Sequence, residues 1–71
     1  MKNLLTIKTL KDNSIVRSFL NYPKDDEALS ALYYTMSSAI VDDNVKKVVC
    51  AMLGDDGIAY KLEDFDKSLQ E

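Results

Sequence analysis

The sequence contains no histidine and no tryptophan, and its 71 residues include one cysteine, one proline and two glycines. Without histidine the chain lacks the commonest metal ligand and the commonest general base. The single cysteine, Cys50, excludes a disulfide within the chain. Both glycines, Gly54 and Gly57, flank one turn, so a glycine-rich phosphate-binding loop is excluded as well. These absences make an enzyme the least expected class of protein.

The sequence also lacks a long apolar run. Thr6 and Lys8 interrupt the opening MKNLL segment before it reaches the length of a secretory signal. No segment approaches the roughly 20 apolar residues that a membrane-spanning helix needs. Together with the lone thiol, this predicts a protein of the reducing cytoplasm with no membrane partner.

The composition is that of a small globular domain. Hydrophobic residues make up 46% of the chain and charged residues 30%, which separates it from disordered sequences. A chain of this length forms one domain and buries only about 60% of the surface that it exposes when unfolded. Since a disulfide is excluded, the sequence predicts added stability from self-association, as a homodimer or small oligomer.

Residues 1–20 are predicted to form a β-hairpin. Two apolar runs, LLTIKTL and IVRSFL, are separated by KDNS, in which Asp12 and Asn13 tolerate the backbone of a tight turn. If Leu10 pairs with Ile15, one face of the hairpin is apolar and the other is mixed. The apolar face then holds Leu5, Ile7, Val16 and Leu20. The mixed face holds Thr6, Lys8, Arg17 and Phe19.

Residues 25–42 are predicted to form a helix. Pro23 precedes it, and the acids at 25–27 suit the positive end of the helix dipole. Apolar residues at helical spacing form one stripe that would pack on a sheet. The stripe is Leu29, Leu32, Tyr33, Met36 and Ile40. No charge occurs between positions 28 and 41, so the outer side of the helix is typical of a contact surface. That surface is represented by Ala31, Tyr34 and Ser38.

Residues 45–62 are predicted to form a second hairpin around GDDG. A type I turn at Asp55 and Asp56, followed by Gly57 with positive φ, pairs Gly54 with Ile58. The core face is then Val48, Cys50, Met52, Ile58, Tyr60 and Leu62. The outer face keeps an apolar row made of Val45, Val49, Ala51, Leu53 and Ala59. A two-residue turn would exchange the faces of this strand, and either register leaves an apolar row away from the helix.

The remaining residues, 63–71, form a polar tail in which Phe65 and Leu69 lie one helical turn apart. The tail is expected to be either a short docking helix or a frayed end. The whole chain is predicted to be an α+β domain of ββαββ topology. Because the helix returns along the sheet, an all-antiparallel arrangement favours the strand order 2-1-3-4, with the helix on one face. The other face is left for a second chain.

The residues that could carry chemistry favour structural roles. Cys50 has apolar neighbours and no histidine to activate it, which indicates an inert core thiol. The acidic doublets are Asp42, Asp43, Asp55 and Asp56. They lack the ligand spacing of a calcium loop, and the second doublet is explained by turn chemistry. No metal and no cofactor are therefore expected.

Charge is unevenly distributed along the chain, which carries −3 overall. Residues 1–24 hold five basic residues against one acid, a balance of +4, and residues 25–71 hold eleven acids against four lysines, a balance of −7. The acidic part suggests an acidic partner site at the two Asp doublets. The basic part suggests phosphate contacts through Lys8, Lys11 and Arg17 on the first hairpin. An acidic chain is repelled by DNA overall, so nucleic acid is the less favoured partner.

The helix segment KDDEALSALYYTMSSAI and the segment VVCAMLGDDGIAYKLEDF resemble a group of small bacterial proteins without an assigned activity. Members of that group are often carried on prophages or other mobile elements. The resemblance spans most of the chain and implies the same hairpin-helix-hairpin fold. It implies no catalytic activity.

These observations favour two function classes, and a third ranks behind them. The first is a non-catalytic interaction module that works as a homodimer or small oligomer. The second is an acidic inhibitor that mimics nucleic acid and occupies the basic site of a host enzyme such as a nuclease. The third is nucleic-acid binding through the first hairpin.

Overall fold

The computed structural model describes the backbone of residues 2–70 and the side chains of residues 2–68. Its elements are β1 (Lys2–Leu10), β2 (Ile15–Tyr22), α1 (Asp25–Val41), β3 (Val45–Leu53), β4 (Ala59–Asp66) and a short 3₁₀ helix (Lys67–Gln70). Every strand pair is antiparallel, and the order in the sheet is β2-β1-β3-β4. The predicted ββαββ α+β fold, with its strand order, is confirmed.

Helix α1 packs on one face of the sheet, above the central strands β1 and β3, and touches the edge strands least. The core lies between the helix and these two strands. It is formed by Leu4, Ala28, Leu32, Met36, Ala39, Val45, Val48, Cys50 and Met52. Each large apolar side chain buried there contributes about 1.5–3 kcal/mol relative to an exposed position.

The helix presents a different stripe to the sheet from the predicted one. Its buried residues are Ala28, Leu32, Met36 and Ala39. Leu29, Tyr33 and Ile40 are instead exposed on the flank of the helix. The two alanines allow the helix backbone to lie close to the strands, and this close approach turns the bulkier side chains outward. Only Leu32 and Met36 of the predicted stripe are core residues.

The first hairpin has a register one residue away from the predicted one. Thr9, and not Leu10, pairs with Ile15. The amide of Leu10 donates to the carbonyl of Ser14, and Asn13 adopts a left-handed φ of 71° between them. A shift of one residue moves every side chain of β2 to the other face relative to the side chains of β1. Leu4, Thr6 and Lys8 therefore share the helix side with Val16, Ser18 and Leu20. Leu5, Ile7, Arg17 and Phe19 lie together on the opposite side.

The second hairpin has the predicted turn but a different register beyond it. The amide of Gly54 donates to the carbonyl of Ile58, and Gly57 has a φ of 79°. Tyr60 is then an extra residue, because Leu53 pairs with Ala59 while Met52 pairs with Lys61. This bulge places Leu62 on the sheet face away from the helix. Of the predicted core face, Val48, Cys50 and Met52 are buried, whereas Ile58, Tyr60 and Leu62 are exposed.

A second irregularity places Val45 in the core. Thr9 pairs with Lys47 and Leu10 pairs with Val45, so Lys46 is the extra residue in β3. The side chain of Val45 consequently turns toward the helix and is only 2% exposed. Its predicted place on the outer face is wrong.

The chain after residue 62 continues as strand and does not begin a tail there. β4 extends to Asp66, and Phe65 packs beside the core from the helix side of the sheet. The backbone turns into the 3₁₀ helix at Lys67. The side chain of Leu69, which the sequence places one helical turn after Phe65, lies outside the described residues, as does residue 71.

Candidate protein interface

The sheet face turned away from α1 carries a continuous set of apolar side chains. Leu5 lies between Phe19 and Ala51 in neighbouring strands, and Ala51 lies beside Leu62. In the next row Ile7 lies beside Val49. We call this surface the open sheet face. Its apolar members are Leu5, Ile7, Phe19, Val49, Ala51, Leu53 and Leu62.

Exposure on the open sheet face rises from its centre to its edges. Ala51, on a central strand, is 7% exposed, whereas Phe19 and Leu62 on the edge strands are 55% and 58% exposed. Leu5, Ile7, Val49 and Leu53 are half-buried. Phe19 and Leu62 at the two edges are therefore much more exposed to solvent than Ala51 at the centre. Contiguous exposed apolar surface makes this face the candidate contact site of the domain.

The charges on the open sheet face lie at the ends of its cross-strand rows. Arg17 on β2 lies beside Ile7, and Asp64 on β4 lies beside Val49, so the two charges end the same row. Among residues 2–68, neither Arg17 nor Asp64 forms an ion pair. The next row ends in Asp66, which lies beside Lys47. The apolar centre is thus bordered by both signs of charge.

The described part of the chain after β4 does not cover the open sheet face. Phe65 lies beside Val48 on the helix side. The Lys67 ammonium donates to the carbonyl oxygen of Asp42 at 2.6 Å, which holds this segment at the C-terminal end of α1. Over the residues that the structure describes, the open sheet face has no covering element.

Four of the five residues predicted for the outer sheet face lie on it. Val49, Ala51 and Leu53 alternate with the buried Val48, Cys50 and Met52 along β3, and Ala59 is exposed beside Leu53. Val45 is the exception, as described above. Sequence reasoning missed the contribution of Leu5, Ile7, Phe19 and Leu62. The two shifts of register bring Phe19 and Leu62 to this face, which no alternation pattern reveals. Leu5 and Ile7 lie there because the helix packs on the other side of β1, over Leu4.

The predicted outer helix surface is exposed but not uniformly neutral. Tyr34 is 75% exposed and Ser38 is exposed, while Ala31 is half-buried against the core. Tyr34 lines a shallow depression with Ser30, Ala31 and the first-turn acids Asp26 and Glu27. Tyr34 is therefore exposed beside two acidic side chains on this side of the helix.

The two acidic doublets lie at opposite ends of the sheet. Asp42 and Asp43 follow the helix, beside the turn that joins β1 to β2, because the amide of Lys11 donates to the carbonyl of Asn44. Asp55 and Asp56 lie in the turn at the far ends of β3 and β4. The predicted acidic partner site is therefore not brought together on one surface.

Two of these acids satisfy backbone groups in their own turns. Asp42 Oδ1 accepts from the amide of Asn44 at 2.9 Å, and Asp56 Oδ1 accepts from the amide of Ile58 at 3.0 Å. These are the local turn bonds that aspartate favours. The basic group beside the C-terminal end of α1 is Lys67, whose ammonium donates to the carbonyl oxygen of Asp42. Within the described residues there is no group of acids, cysteine and histidine able to hold a metal ion.

The three basic residues proposed as phosphate contacts point in different directions. Lys8 lies on the helix side of β1, Arg17 lies on the open sheet face, and Lys11 lies in the turn between β1 and β2. Because they do not share a surface, they do not form the basic ribbon that contact with successive phosphates requires.

Cys50 is a core residue, as predicted. It is fully buried under α1, and its Sγ lies 3.8 Å from Thr6 Oγ1 across the β1–β3 pair. Burial raises the pKa of the Cys50 thiol, so the reactive thiolate is disfavoured. The thiol is a packing group in this structure.

The strand β2 lies at the edge of the sheet, as the predicted strand order implies. β2 is exposed along almost its whole length, and it carries one charged side chain, Arg17. Because α1 lies over the central strands, a groove of about 150 Å³ remains between the helix and β2. Val16 and Leu20 line it, with Thr35 on the helix side. The sequence analysis did not predict this groove, which depends on the helix lying over the central strands.

Comparison of the chain with known protein families, with curated proteins and with solved structures gave no match. The resemblance to small proteins of prophages therefore stays a prediction. Among the described residues, no helix is long and apolar enough to cross a membrane.

Proposed function

We propose that this protein is a non-catalytic interaction module that associates with a second copy of itself through the open sheet face. The observation that carries the proposal is the set of uncovered apolar side chains at the sheet centre and edges, with Phe19 and Leu62 more than half exposed. Burying this surface against another chain removes apolar area from water, which is the dominant favourable term in protein association.

Self-association also addresses the marginal stability of a domain of 71 residues. A single helix covers only one face of the sheet, so the four strands have one core instead of two. A second copy seated on the open sheet face supplies the missing layer. Because anything that binds only the folded state stabilises it, the dimer would be more stable than the lone chain.

We further propose that the protein works in a reducing cytoplasm. Its one cysteine is buried and serves packing, so the fold needs no oxidising compartment. A bacterial mobile element as the source is supported only by the resemblance of the helix and the second hairpin to prophage proteins.

The test is a substitution that charges the centre of the open sheet face. In Val49→Asp, two buried carboxylates would face apolar groups of the partner, which should weaken self-association about 100-fold or more. Phe19→Asp is the second variant, because Phe19 is 55% exposed and its replacement leaves the core intact. Molar mass by light scattering is the readout, with circular dichroism to verify folding.

Val16→Asp is the matched control. Val16 is 47% exposed on the helix side of β2, so it receives the same new charge on the opposite face of the sheet. The proposal requires that Val16→Asp associates like the unmodified chain while Val49→Asp and Phe19→Asp are monomeric. Equal masses for all four proteins would rule out the open sheet face as the interface.

A further inference from the structure

We propose that the two copies are related by a two-fold axis parallel to the strands, which pairs Arg17 of each copy with Asp64 of the other. This arrangement rests on the proposed self-association and specifies its geometry. It follows from where the open sheet face carries its charges and its largest and smallest side chains.

In a closed dimer both chains use the same surface. If one residue of the first copy contacts a second residue of the other copy, the reverse contact also forms. A two-fold axis along the strands, between β1 and β3, leaves height along the strands unchanged and exchanges the two edges of the sheet. β2 of one copy then lies over β4 of the other, and β1 lies over β3. Each cross-strand row faces the same row of the second copy in reverse order.

One row runs from Arg17 at one edge of the sheet to Asp64 at the other. When the same row of the second copy faces it in reverse order, opposite charges meet at both ends. Arg17 of each copy comes over Asp64 of the other, and Ile7 comes over Val49. Sheets packed face to face lie about 10 Å apart, a gap that the long arginine side chain bridges at the rim. Both charges are exposed in the single chain and lack ion-pair partners among residues 2–68. The dimer supplies the partner to both.

The neighbouring row is complementary in size. It runs Phe19, Leu5, Ala51 and Leu62 from edge to edge. Reversal places Leu5 of one copy over the small Ala51 of the other, which is the lowest point of the face. Phe19 meets Leu62 at both edges. Alternation of large and small residues across facing positions is the pattern of well-packed layers.

The other two-fold axis in the plane of the interface, perpendicular to the strands, lacks these matches. If it passes through the row of Arg17, it places Arg17 over Arg17 and Asp64 over Asp64, a repulsive arrangement. If it passes through the row of Leu5, Arg17 comes over Asn21 and Asp64 over Ala59, so both charges lose solvent without gaining a partner. Charge complementarity therefore selects the axis along the strands.

The experiment is a charge exchange measured by sedimentation equilibrium over a range of concentrations. Arg17→Glu and Asp64→Lys each place like charges at both rims of the dimer and should weaken association about tenfold. The Arg17→Glu, Asp64→Lys double variant restores opposite charges and should recover the original dissociation constant. Ionic strength is held at about 0.1 M so that screening does not hide the effect.

Glu63→Lys is the matched control, because it makes the same charge change on the adjacent residue of β4, whose side chain lies on the helix side. Recovery in the double variant, with an unaffected control, supports the proposed axis. A dimer that is unaffected by all of these changes would overturn the proposed axis but not the proposed self-association. The same holds for a dimer that is disrupted only by proline substitutions on the exposed edge of β2. An unmodified chain that stays monomeric at every concentration would instead remove the proposed function, and the axis with it.

Discussion

Leu62 lies directly beside Ala51 on the open sheet face because Tyr60 is an extra residue in β4. Without that bulge, Leu62 would lie under the helix, as the alternation of β4 predicts, and the open sheet face would lose one of its largest apolar side chains. The bulge also brings Lys61 and Glu63 to the helix side, where they form an ion pair at 3.7 Å. One local irregularity thus decides on which side of the sheet Leu62 lies.

Stability should depend on the inner side of the helix and not on its outer side. Leu32 is fully buried, and Leu32→Ala should lower the free energy of unfolding by about 2–5 kcal/mol, because it leaves a cavity under the helix. Tyr34→Ala, two residues away and 75% exposed in the wild-type chain, should change it by less than about 0.5 kcal/mol. Urea denaturation followed by circular dichroism compares them. Similar losses in both variants would contradict the orientation assigned to α1.

The turn between β3 and β4 should require a left-handed residue at position 57. Gly57 has a φ of 79°, and a Cβ built there meets no atom within 4 Å, so the cost of a side chain is purely conformational. Gly57→Ala should destabilise the fold by about 1 kcal/mol, and Gly57→Asn by less, since asparagine tolerates this conformation. Urea midpoints give the order. An alanine variant as stable as wild type would show that the turn adopts another geometry.

The fold class and strand order were predictable because they follow from coarse features: two hairpins, one helix and a return along the sheet. The strand registers were not predictable, because each depends on the conformation of a single residue. Asn13 in a left-handed conformation moves the β1–β2 pairing by one position, and the bulge at Tyr60 reverses the rest of β4. Hydrophobicity also assigned Tyr33 and Ile40 to the core, whereas close packing selected the smaller Ala28 and Ala39.

The thiol of Cys50 should react only when the chain unfolds. It is fully buried, and burial raises its pKa, so both access and ionisation oppose reaction in the folded state. At about pH 8, alkylation should be at least 100-fold slower than in denaturant, since it must wait for opening of the fold. Mass spectrometry of timed samples measures the rate. Equally rapid labelling of folded and unfolded protein would place the thiol outside the core.

Acid should destabilise the fold through two turn carboxylates. The pKa of Asp12 is lowered by hydrogen bonds from Ser14, and that of Asp66 by hydrogen bonds from Ser68, with Lys47 and Lys46 adding a smaller effect. Each group therefore contributes stability that is fully present above its ordinary pKa of 3.8 and is lost as pH falls through the lowered value in the folded state.

Replacing both groups by asparagine keeps an acceptor oxygen in each turn and removes the titration. The Asp12→Asn, Asp66→Asn double variant should lose less stability than wild type between about pH 4 and pH 2. Thermal unfolding at several pH values measures the difference. Parallel pH profiles for the two proteins would show that neither carboxylate contributes in this range.

Molar mass from light scattering across a dilution series decides whether a second copy of the chain occupies the open sheet face. If the proposal is right, the mass is twice that of the 8.0 kDa chain at high concentration and falls toward 8.0 kDa on dilution. A mass of one chain at every concentration would contradict it.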